Sequence, residues 1–456
     1  MTKKQFRHAF LKGMGSALLE LQSCDNPERY REIVLYGCLH DTTYDAQCEG
    51  DRGWYLYKAI KLIDDKKAFE SAILQKYFRV NRDHWLFVQL TAILYQYAKD
   101  GSENASDVLY KKYADLLCFL SRKRKYEGIC YQRDMFIWVC VWLTSLDGWG
   151  AFKRIIQEVS EKLLSKDGDY FFDEWFYDNA KGKFGKKRVE EFLQKQAQKS
   201  PFIFIYYEKA KAWDKHMFVD NRSIPTLEQV LAEVDGQEYH GRGLAMNFTQ
   251  KANLEDLEGL AQAAINEQDI HRKTELLWGF RRRAFQFPES LVLEWSKSED
   301  HDLRETAFYI LGHNPSQQAH DYAISLIENE VDIRNGIFLL CKNYSVQDEE
   351  IVFKAIKNLQ NNADQYDFHG AAMEVEEALT AVKQKPKTDI LMYLYHQTPC
   401  SCCRYRIVQL MYKKNNLPDM VLHECQFDAN SDIRDFAERT IKSRKIKVAD
   451  SGSFNA

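Results

Sequence analysis

The sequence has little of the two residues that interrupt helices, with 8 prolines and 21 glycines among 456 residues. Proline removes a backbone donor and glycine adds backbone entropy, so both are rare inside helices. Their scarcity favours a mostly helical chain. Aromatic residues are abundant instead, with 25 tyrosines, 27 phenylalanines and 9 tryptophans. Large rings fill the gaps between packed helices.

The sequence also lacks a strong charge of one sign and a long apolar run. The formal net charge of −4 excludes a basic protein but leaves local basic patches open. The most apolar run, 135–146, is shorter than the roughly 20 residues that span a bilayer. Neither a signal-peptide pattern after Met1 nor a regular disulfide spacing among the 11 cysteines is present. We therefore expect a cytoplasmic protein with reduced cysteines and no membrane contact.

Catalytic signatures are missing as well. The sequence contains no Walker-type phosphate loop, nucleophile elbow, zinc-protease helix or dinucleotide fingerprint. We expect no cofactor from this, and a non-enzymatic role is favoured while enzymatic activity stays open.

The bend from Cys38 to Arg52 is the exception that keeps an enzyme among the hypotheses. Cys38 and His40 are residue types that form thiol–imidazole nucleophile pairs. Nearby carboxylates, however, disfavour a thiolate. A helix cap at Asp45 and an ion pair between Glu49 and Arg52 explain the same residues structurally. An enzyme that uses the Cys38–Glu49 bend is therefore the third hypothesis.

Arginines near the start of helical stretches recur at one spacing in the C-terminal half. Arg304 and Arg334 lie 30 residues apart, and so do Arg404 and Arg434. Three of the four directly follow an aspartate and an apolar residue. A recurring period in this range is typical of stacked helical hairpins. We therefore predict an all-α fold whose second half is built from helix pairs.

The stretch from Asp302 to Gly312 resembles the second helix of a HEAT repeat, in the short bacterial form of the phycobilisome-lyase type, and the resemblance covers about 265–445. It implies an Asp that caps the helix, an Arg that bonds along the stack and a small Ala that lets helices approach. These structural roles fall on Asp302, Arg304, Ala307, Asp332, Arg334, Asp432, Arg434 and Ala437, with only the arginine kept at Arg404. The string 44–52 resembles uncharacterised bacterial HEAT-containing proteins.

The resemblance implies an α-solenoid of HEAT-like helical hairpins, a fold that often serves as a scaffold. We place an irregular all-helical N-terminal region at 1–250, HEAT-like repeats at 251–447 and a disordered tail at 448–456. The apolar run 202–207 has strand propensity, but we predict a buried helix because no partner strand is evident nearby.

Two basic segments are the candidate partner-binding sites. Their residues are Trp278, Arg281, Arg282, Arg283, Lys186, Lys187 and Arg188. We expect a non-catalytic scaffold or adaptor that binds a protein partner on a concave face. The alternative is a nucleic-acid-binding, DNA-repair-like protein, since cations and rings contact phosphates and bases, as in the HEAT-like alkylpurine DNA glycosylases. Solvated helix ends explain the same residues, and the oligomeric state stays open.

Four residues are weak candidates for a metal site: Cys400, Cys402, His423 and Cys425. Thiolate and imidazole ligands suit tetrahedral zinc. A pair of Cys-x-x-Cys motifs is missing, and thiols in the core or on the surface explain the same residues. We therefore expect no metal.

Overall fold

A computed structural model provides the fold and describes residues 1–50, 52–63, 65–80, 82–122, 130–164, 173–216, 225–235 and 241–444. Within these residues the chain is predominantly helical and contains no strand, so the all-α prediction is confirmed. The predicted tail at 448–456 lies outside the described residues.

Packing divides the chain into two compact units. The first contains Met1–Val219, Cys400–Tyr405 and Leu417–Ala456, and the second contains Asp220–Pro399 and Arg406–Asn416. The predicted boundary near residue 250 and the repeat region at 251–447 stay predictions, because a unit of packing need not coincide with a unit of sequence repetition.

The described residues form helices of the following bounds. They are α1 (Lys3–Leu11), α2 (Gly15–Ser23), α3 (Arg31–Leu39), α4 (Ala46–Glu49), α5 (Gly53–Lys61), α6 (Lys66–Arg79), α7 (His84–Lys99), α8 (Glu103–Arg122), α9 (Cys130–Val159), α10 (Glu174–Phe184), α11 (Lys186–Ala197), α12 (Pro201–His216), α13 (Leu227–Asp235), α14 (Gly241–Lys251), α15 (Leu254–Asn266), α16 (Ile270–Leu277), α17 (Glu289–Trp295), α18 (His301–His313), α19 (Gln317–Glu328), α20 (Ile333–Lys342), α21 (Glu349–Asn362), α22 (Gln365–Ala381), α23 (Thr388–Gln397), α24 (Ser401–Lys413), α25 (Asp419–Cys425) and α26 (Ser431–Arg444). Helix α12 includes the apolar run 202–207, which confirms the preference for a helix there.

Helix α7 is central to the packing of the first unit, since α3, α5, α6, α8 and α9 all contact it. Its side chains from Leu86 to Leu94 are buried without a break. The polar side chain of Gln89 in this run is satisfied, because its Nε2 donates to the carbonyl oxygens of Gly37 and Cys38 at 3.1 and 3.2 Å. The end of α3, and hence the start of the 38–52 bend, is thereby fixed to the core.

The segment after α1 packs closely on the turn that follows α25. A Cβ atom on Gly15 would lie 1.9 Å from the carbonyl oxygen of Glu424. Two residues earlier, Gly13 has a φ of 72° and accepts a hydrogen bond from the N–H of Ala429 at 2.8 Å. Only glycine allows this approach without displacing the neighbouring backbone.

One helical segment, 131–163, is long and apolar enough to cross a membrane by length and composition alone. Gly148, with φ 66° and ψ −141°, breaks the helical geometry inside it. More than half of its apolar window is buried within the protein, as expected of a core helix. The cytoplasmic location stays a prediction.

In the second unit, helices pack in pairs and the pairs pack in order. Helix α15 contacts α16, α17 contacts α18, α19 contacts α20, and α21 contacts α22. The second helix of each pair also contacts the second helix of the next, in the order α16, α18, α20, α22. Of these helices, α18 and α20 begin close to Arg304 and Arg334.

Candidate functional site

A row of alternating cations and aromatic rings crosses successive helices of the second unit. This aromatic–cation row consists of Arg242, Trp278, Arg281, Tyr309, Phe338 and Lys342. The guanidinium carbons of Arg242 and Arg281 lie 4.2 and 4.1 Å from the ring centroid of Trp278. Arg281 also lies 4.2 Å from the ring centroid of Tyr309. Each distance is within the roughly 6 Å over which cation–π attraction acts.

The row continues from α18 to α20. The rings of Tyr309 and Phe338 meet edge to face with centroids 5.1 Å apart, and Nζ of Lys342 lies 5.3 Å from the Phe338 centroid. Trp278, Tyr309 and Phe338 are 31 and 29 residues apart in the sequence. The stacking of the second helices therefore brings residues one sequence period apart into one row, in which Trp278 and Tyr309 are partly exposed and Phe338 is buried.

Carboxylates accompany the cations of this row. Arg242 donates to Glu275 and to Asp302, both at 2.6 Å. Its guanidinium holds the pKa of the Asp302 carboxyl below the usual range. At the other end, Nζ of Lys342 lies 2.7 Å from Glu374. The row thus carries both signs of charge, and Trp278, Arg281 and Tyr309 stay half-exposed.

The second predicted basic segment is largely paired. Lys186 lies 3.5 Å from the carboxylate of Glu190, and Lys187 lies 3.8 Å from that of Glu191. Arg188 stacks over an indole ring, with its guanidinium carbon 4.4 Å from the centroid. These contacts on α11 are typical of a solvated helix face with (i, i+4) ion pairs.

Arg304 and Arg434 make the same local contacts at the starts of two different helices. Nη1 of each donates to the carbonyl oxygens six and five residues earlier, at 2.7 and 3.2 Å for Arg304 and at 2.7 Å twice for Arg434. Ala307 and Ala437, three residues later, are both fully buried. The resemblance implied that Arg304 bonds to a neighbouring repeat. Its guanidinium instead donates to the turn directly before its own helix.

Arg334 bonds to a neighbouring helix and Arg404 to the turn that follows α25. Nη1 of Arg334 donates to Glu305 on α18 at 3.0 Å. Arg404 donates to Asp428, beyond α25, through Nε at 3.0 Å and Nη2 at 3.1 Å. The arginine period thus marks equivalent places in the chain but two kinds of contact.

The capping role implied for the aspartates is correct at one of three positions. Asp332 caps α20, where its side chain accepts a backbone N–H at 3.1 Å. Asp302 does not cap α18; Asp300 does, at 2.8 Å. Asp432 is likewise replaced by Asn430, whose Oδ1 accepts two N–H groups at the start of α26. In both cases the capping residue lies two residues before the Asp-apolar-Arg string, so the aspartate of that string is not the cap.

Asparagines at helix ends are a repeated feature that the sequence analysis missed. Nδ2 of Asn314 donates to the carbonyl oxygen of Phe285 at 3.0 Å, and Oδ1 of Asn343 accepts from the N–H of Ser316 at 2.9 Å. Asn416 donates to a carbonyl oxygen 30 residues earlier at 2.7 Å. Each side chain ties a helix end to the preceding loop. Asparagine at the C-terminal end of successive apolar stretches was the available signal.

The 38–52 bend is held by the contacts that explain it structurally. Asp45 caps α4 by accepting the N–H groups of Gln47 and Cys48, and Glu49 pairs with Arg52 at 2.9 Å. Both predictions are confirmed. Glu49 also accepts the N–H of Ser401 at 3.0 Å. Its carboxylate is therefore fully engaged and buried.

The thiols of this bend are poorly placed for nucleophilic catalysis. Cys38 is fully buried, and burial raises the pKa of its thiol. The hydrogen bond and charge of Asp45 raise the pKa of the exposed Cys48 thiol. The ring of His40 stacks on Tyr36 with centroids 4.2 Å apart. A protonated thiol is a weak nucleophile, so the geometry favours the structural interpretation.

The four weak metal candidates do not form one cluster among the described residues. Sγ of Cys402 donates to the carbonyl oxygen of Cys48 at 3.2 Å, and its hydrogen bond with Cys400, which favours the protonated form, raises the pKa of the Cys402 thiol. His423 and Cys425 do not join them in a group whose ligand atoms all lie within 4.8 Å of one another. The arrangement is a thiol pair at the start of α24 rather than a four-ligand site.

Comparisons with family models, curated proteins and solved structures give no match for this chain. Membership of the HEAT-repeat family therefore stays a prediction.

Proposed function

We propose that this chain is a non-catalytic scaffold or adaptor, built in its second unit from HEAT-like hairpins, that binds a protein partner along the aromatic–cation row. The observation that carries the proposal is the row itself, in which the half-exposed Trp278, Arg281 and Tyr309 are linked through the buried ring of Phe338 to the next helix pair. Aromatic and arginine side chains are the residue types enriched where proteins bind proteins.

The packing of the second unit supports the scaffold part of this proposal. In stacked helical hairpins, each repeat contacts its neighbours and lends them an apolar wall. The ordered contacts of α16, α18, α20 and α22 have this form. The contacts of Asn314 and Asn343 add a polar link between neighbouring loops, as expected of repeats in register.

The charges of the row favour a protein over a nucleic acid as partner. A phosphate backbone carries one sign of charge at every step and is bound by unpaired cations. Along the row, Arg242 is committed to Glu275 and Asp302, and Lys342 to Glu374. These carboxylates would repel a polyanion, whereas a protein surface offers both signs. A further basic stretch, Arg122-Lys123-Arg124-Lys125, could also contact phosphates, but its residues 123–125 lie outside the described residues.

Site-specific photo-crosslinking tests the proposal. Replacing Tyr309 by a benzophenone-bearing phenylalanine keeps a ring in the row and places a photoreactive group on it. Gln318 is the matched control, because it is exposed on α19, in the first helix of a pair. Irradiation in a native extract is expected to give a discrete protein adduct from position 309 and none from 318.

The adduct must also depend on the row. An Arg281→Ala change in the crosslinking chain is expected to abolish the adduct at position 309 while circular dichroism shows a folded protein. Equal adducts from positions 309 and 318, or a nucleic-acid adduct removed by nuclease, would overturn the proposal.

A further inference from the structure

We infer that the loop between α16 and α17, with the cleft beside it, binds an acidic segment of a protein partner that inserts one aliphatic side chain. The inference rests on the proposed function and deepens it, because it states where on the second unit a partner segment docks and what chemistry that segment has.

The loop is held in shape by its own aromatic residues. The ring centroids of Phe280 and Phe285 are 5.3 Å apart, and Phe287 lies 5.0 Å from each of them. The carbonyl oxygen of Phe285 accepts from Asn314, and that of Arg281 lies 3.0 Å from Nε2 of His313. A loop fixed in this way loses little conformational entropy when a ligand binds.

Arg282 and Arg283 are the cations of the candidate segments that the structure leaves available. Arg281 is stacked between two rings, and Lys186 and Lys187 are paired with carboxylates. Arg282 and Arg283 are exposed, and among the described residues neither has an ion-pair partner. Guanidinium groups bind carboxylates through two parallel hydrogen bonds, so an acidic ligand complements them.

A cleft of about 270 Å³ opens beside this loop, and Gln286 and Phe287 of the loop line it. Phe287, Val292, Ile310 and Leu311 provide its apolar part. His313 also lines it, and because this side chain contacts the Arg281 carbonyl, the cleft borders the loop that carries the two arginines. The volume is just below the roughly 300–1,000 Å³ of small-molecule sites, which suits one side chain of a peptide better than a cofactor.

One carboxylate lines the cleft and sets the pattern of the ligand. Glu289 lies there and accepts a hydrogen bond from the hydroxyl of Ser316. A carboxylate inside the cleft would meet Glu289, so the inserted side chain must be uncharged. The acidic residues of the ligand must flank it on the side of Arg282 and Arg283. A uniformly anionic nucleic-acid strand does not meet this pattern.

Selection from a random octapeptide library on the immobilised full chain tests the inference. The expected consensus is an aliphatic residue flanked by aspartate or glutamate. A labelled peptide with that consensus is then measured by fluorescence polarisation against the wild type, an Arg282→Ala/Arg283→Ala variant and a Lys413→Ala/Arg439→Ala variant. The second variant is the matched control, since Lys413 and Arg439 are equally exposed cations elsewhere in the chain.

The loop variant is expected to raise the Kd about tenfold, a change of about 1.4 kcal/mol, and the control variant to leave it unchanged. Replacing the aliphatic residue of the peptide by alanine or lysine is expected to weaken binding similarly. These peptide changes leave the protein intact, so misfolding cannot mimic them.

Three results would overturn the inference: no enrichment of acidic peptides, equal affinity of both protein variants, or single-stranded DNA that binds through Arg282 and Arg283 and displaces the peptide. If any of these occurs while position 309 still crosslinks to a protein, only the docking inference fails. If position 309 gives no adduct either, the proposed function fails with it.

Discussion

Arg404 and Asp428 form an ion pair with two hydrogen bonds in which neither side chain has any exposed surface. The same guanidinium donates to the carbonyl oxygen of Lys12 at 3.1 Å, and the carboxylate accepts the N–H of Asn430 at 2.9 Å. Both charges are therefore compensated by hydrogen bonds beyond the pair itself. This network holds the segment after α1 to the turn between α25 and α26.

Removing one member of this pair is expected to destabilise the protein strongly. Asp428→Asn leaves the Arg404 charge buried without its counterion, which costs about 3–5 kcal/mol in such sites. Urea unfolding followed by circular dichroism measures the change. The control is Glu438→Gln, which breaks the exposed pair with Lys442 and is expected to change the free energy of unfolding by less than about 1 kcal/mol. Similar effects for both variants would contradict the buried-pair argument.

The sequence predicted contacts between residues close together in the chain, but not contacts between distant ones. The contacts of Asp45, Glu49 and Arg52 are local, and spacing along a helix predicted them correctly. The partner of Arg404 lies 24 residues away, and its contact with Lys12 spans almost the whole chain. No helical period links such positions, so the period marked Arg404 as equivalent to Arg434 without revealing that one is buried in an ion pair.

The aromatic–cation row was predicted in part for the same reason. Trp278 and Arg281 stand three residues apart and were recognised as a local segment. Tyr309 and Phe338 join them only because successive second helices pack side by side, and nothing in their local sequence distinguishes them from core aromatics. Arg242 lies still farther away in the sequence, at the start of α14. The arginine period predicted helix pairs. Only the packing of the second helices in the structure shows which side chains lie next to one another.

Two glycines in the first unit are expected to respond to the same substitution in opposite directions. Gly15→Ala places a methyl group against the carbonyl oxygen of Glu424, and overpacking of this kind costs about 1–3 kcal/mol. Gly150→Ala, in α9, meets nothing within 4 Å and gains helix propensity of about 0.5–1 kcal/mol. Thermal unfolding of both variants decides the matter. A Gly15→Ala variant as stable as the wild type would show that the close approach is absent in solution.

Lys12 is expected to make stability depend on pH above neutrality. Burial, and secondarily the charge of Arg404, lowers its pKa from 10.5 to about 7. Between pH 7 and pH 10.5 the unfolded chain binds more protons than the folded one, so the free energy of unfolding rises with pH. Below about pH 7 Lys12 is charged in both states, and the full cost of burying its ammonium is present. Lys12→Met removes the ammonium and is expected to be more stable than the wild type at pH 7, with a flatter profile up to about pH 9. Parallel profiles for the two proteins would show that Lys12 titrates normally.

The stack of Arg281 on Trp278 is expected to appear as a coupling energy. Cation–π pairs contribute about 0.5–1 kcal/mol at exposed sites. The Arg281→Ala/Trp278→Ala double-mutant cycle should therefore give a coupling energy in this range. Urea unfolding of the four proteins provides the cycle. The comparison cycle, Lys187→Ala/Glu191→Ala, concerns a pair whose members are both largely exposed and is expected to give no more than the roughly 0.2–0.5 kcal/mol of a helix-surface ion pair. A coupling of zero between Arg281 and Trp278 would mean that the two side chains do not form a fixed stack, and the row would lose the rigidity on which its proposed role in binding depends.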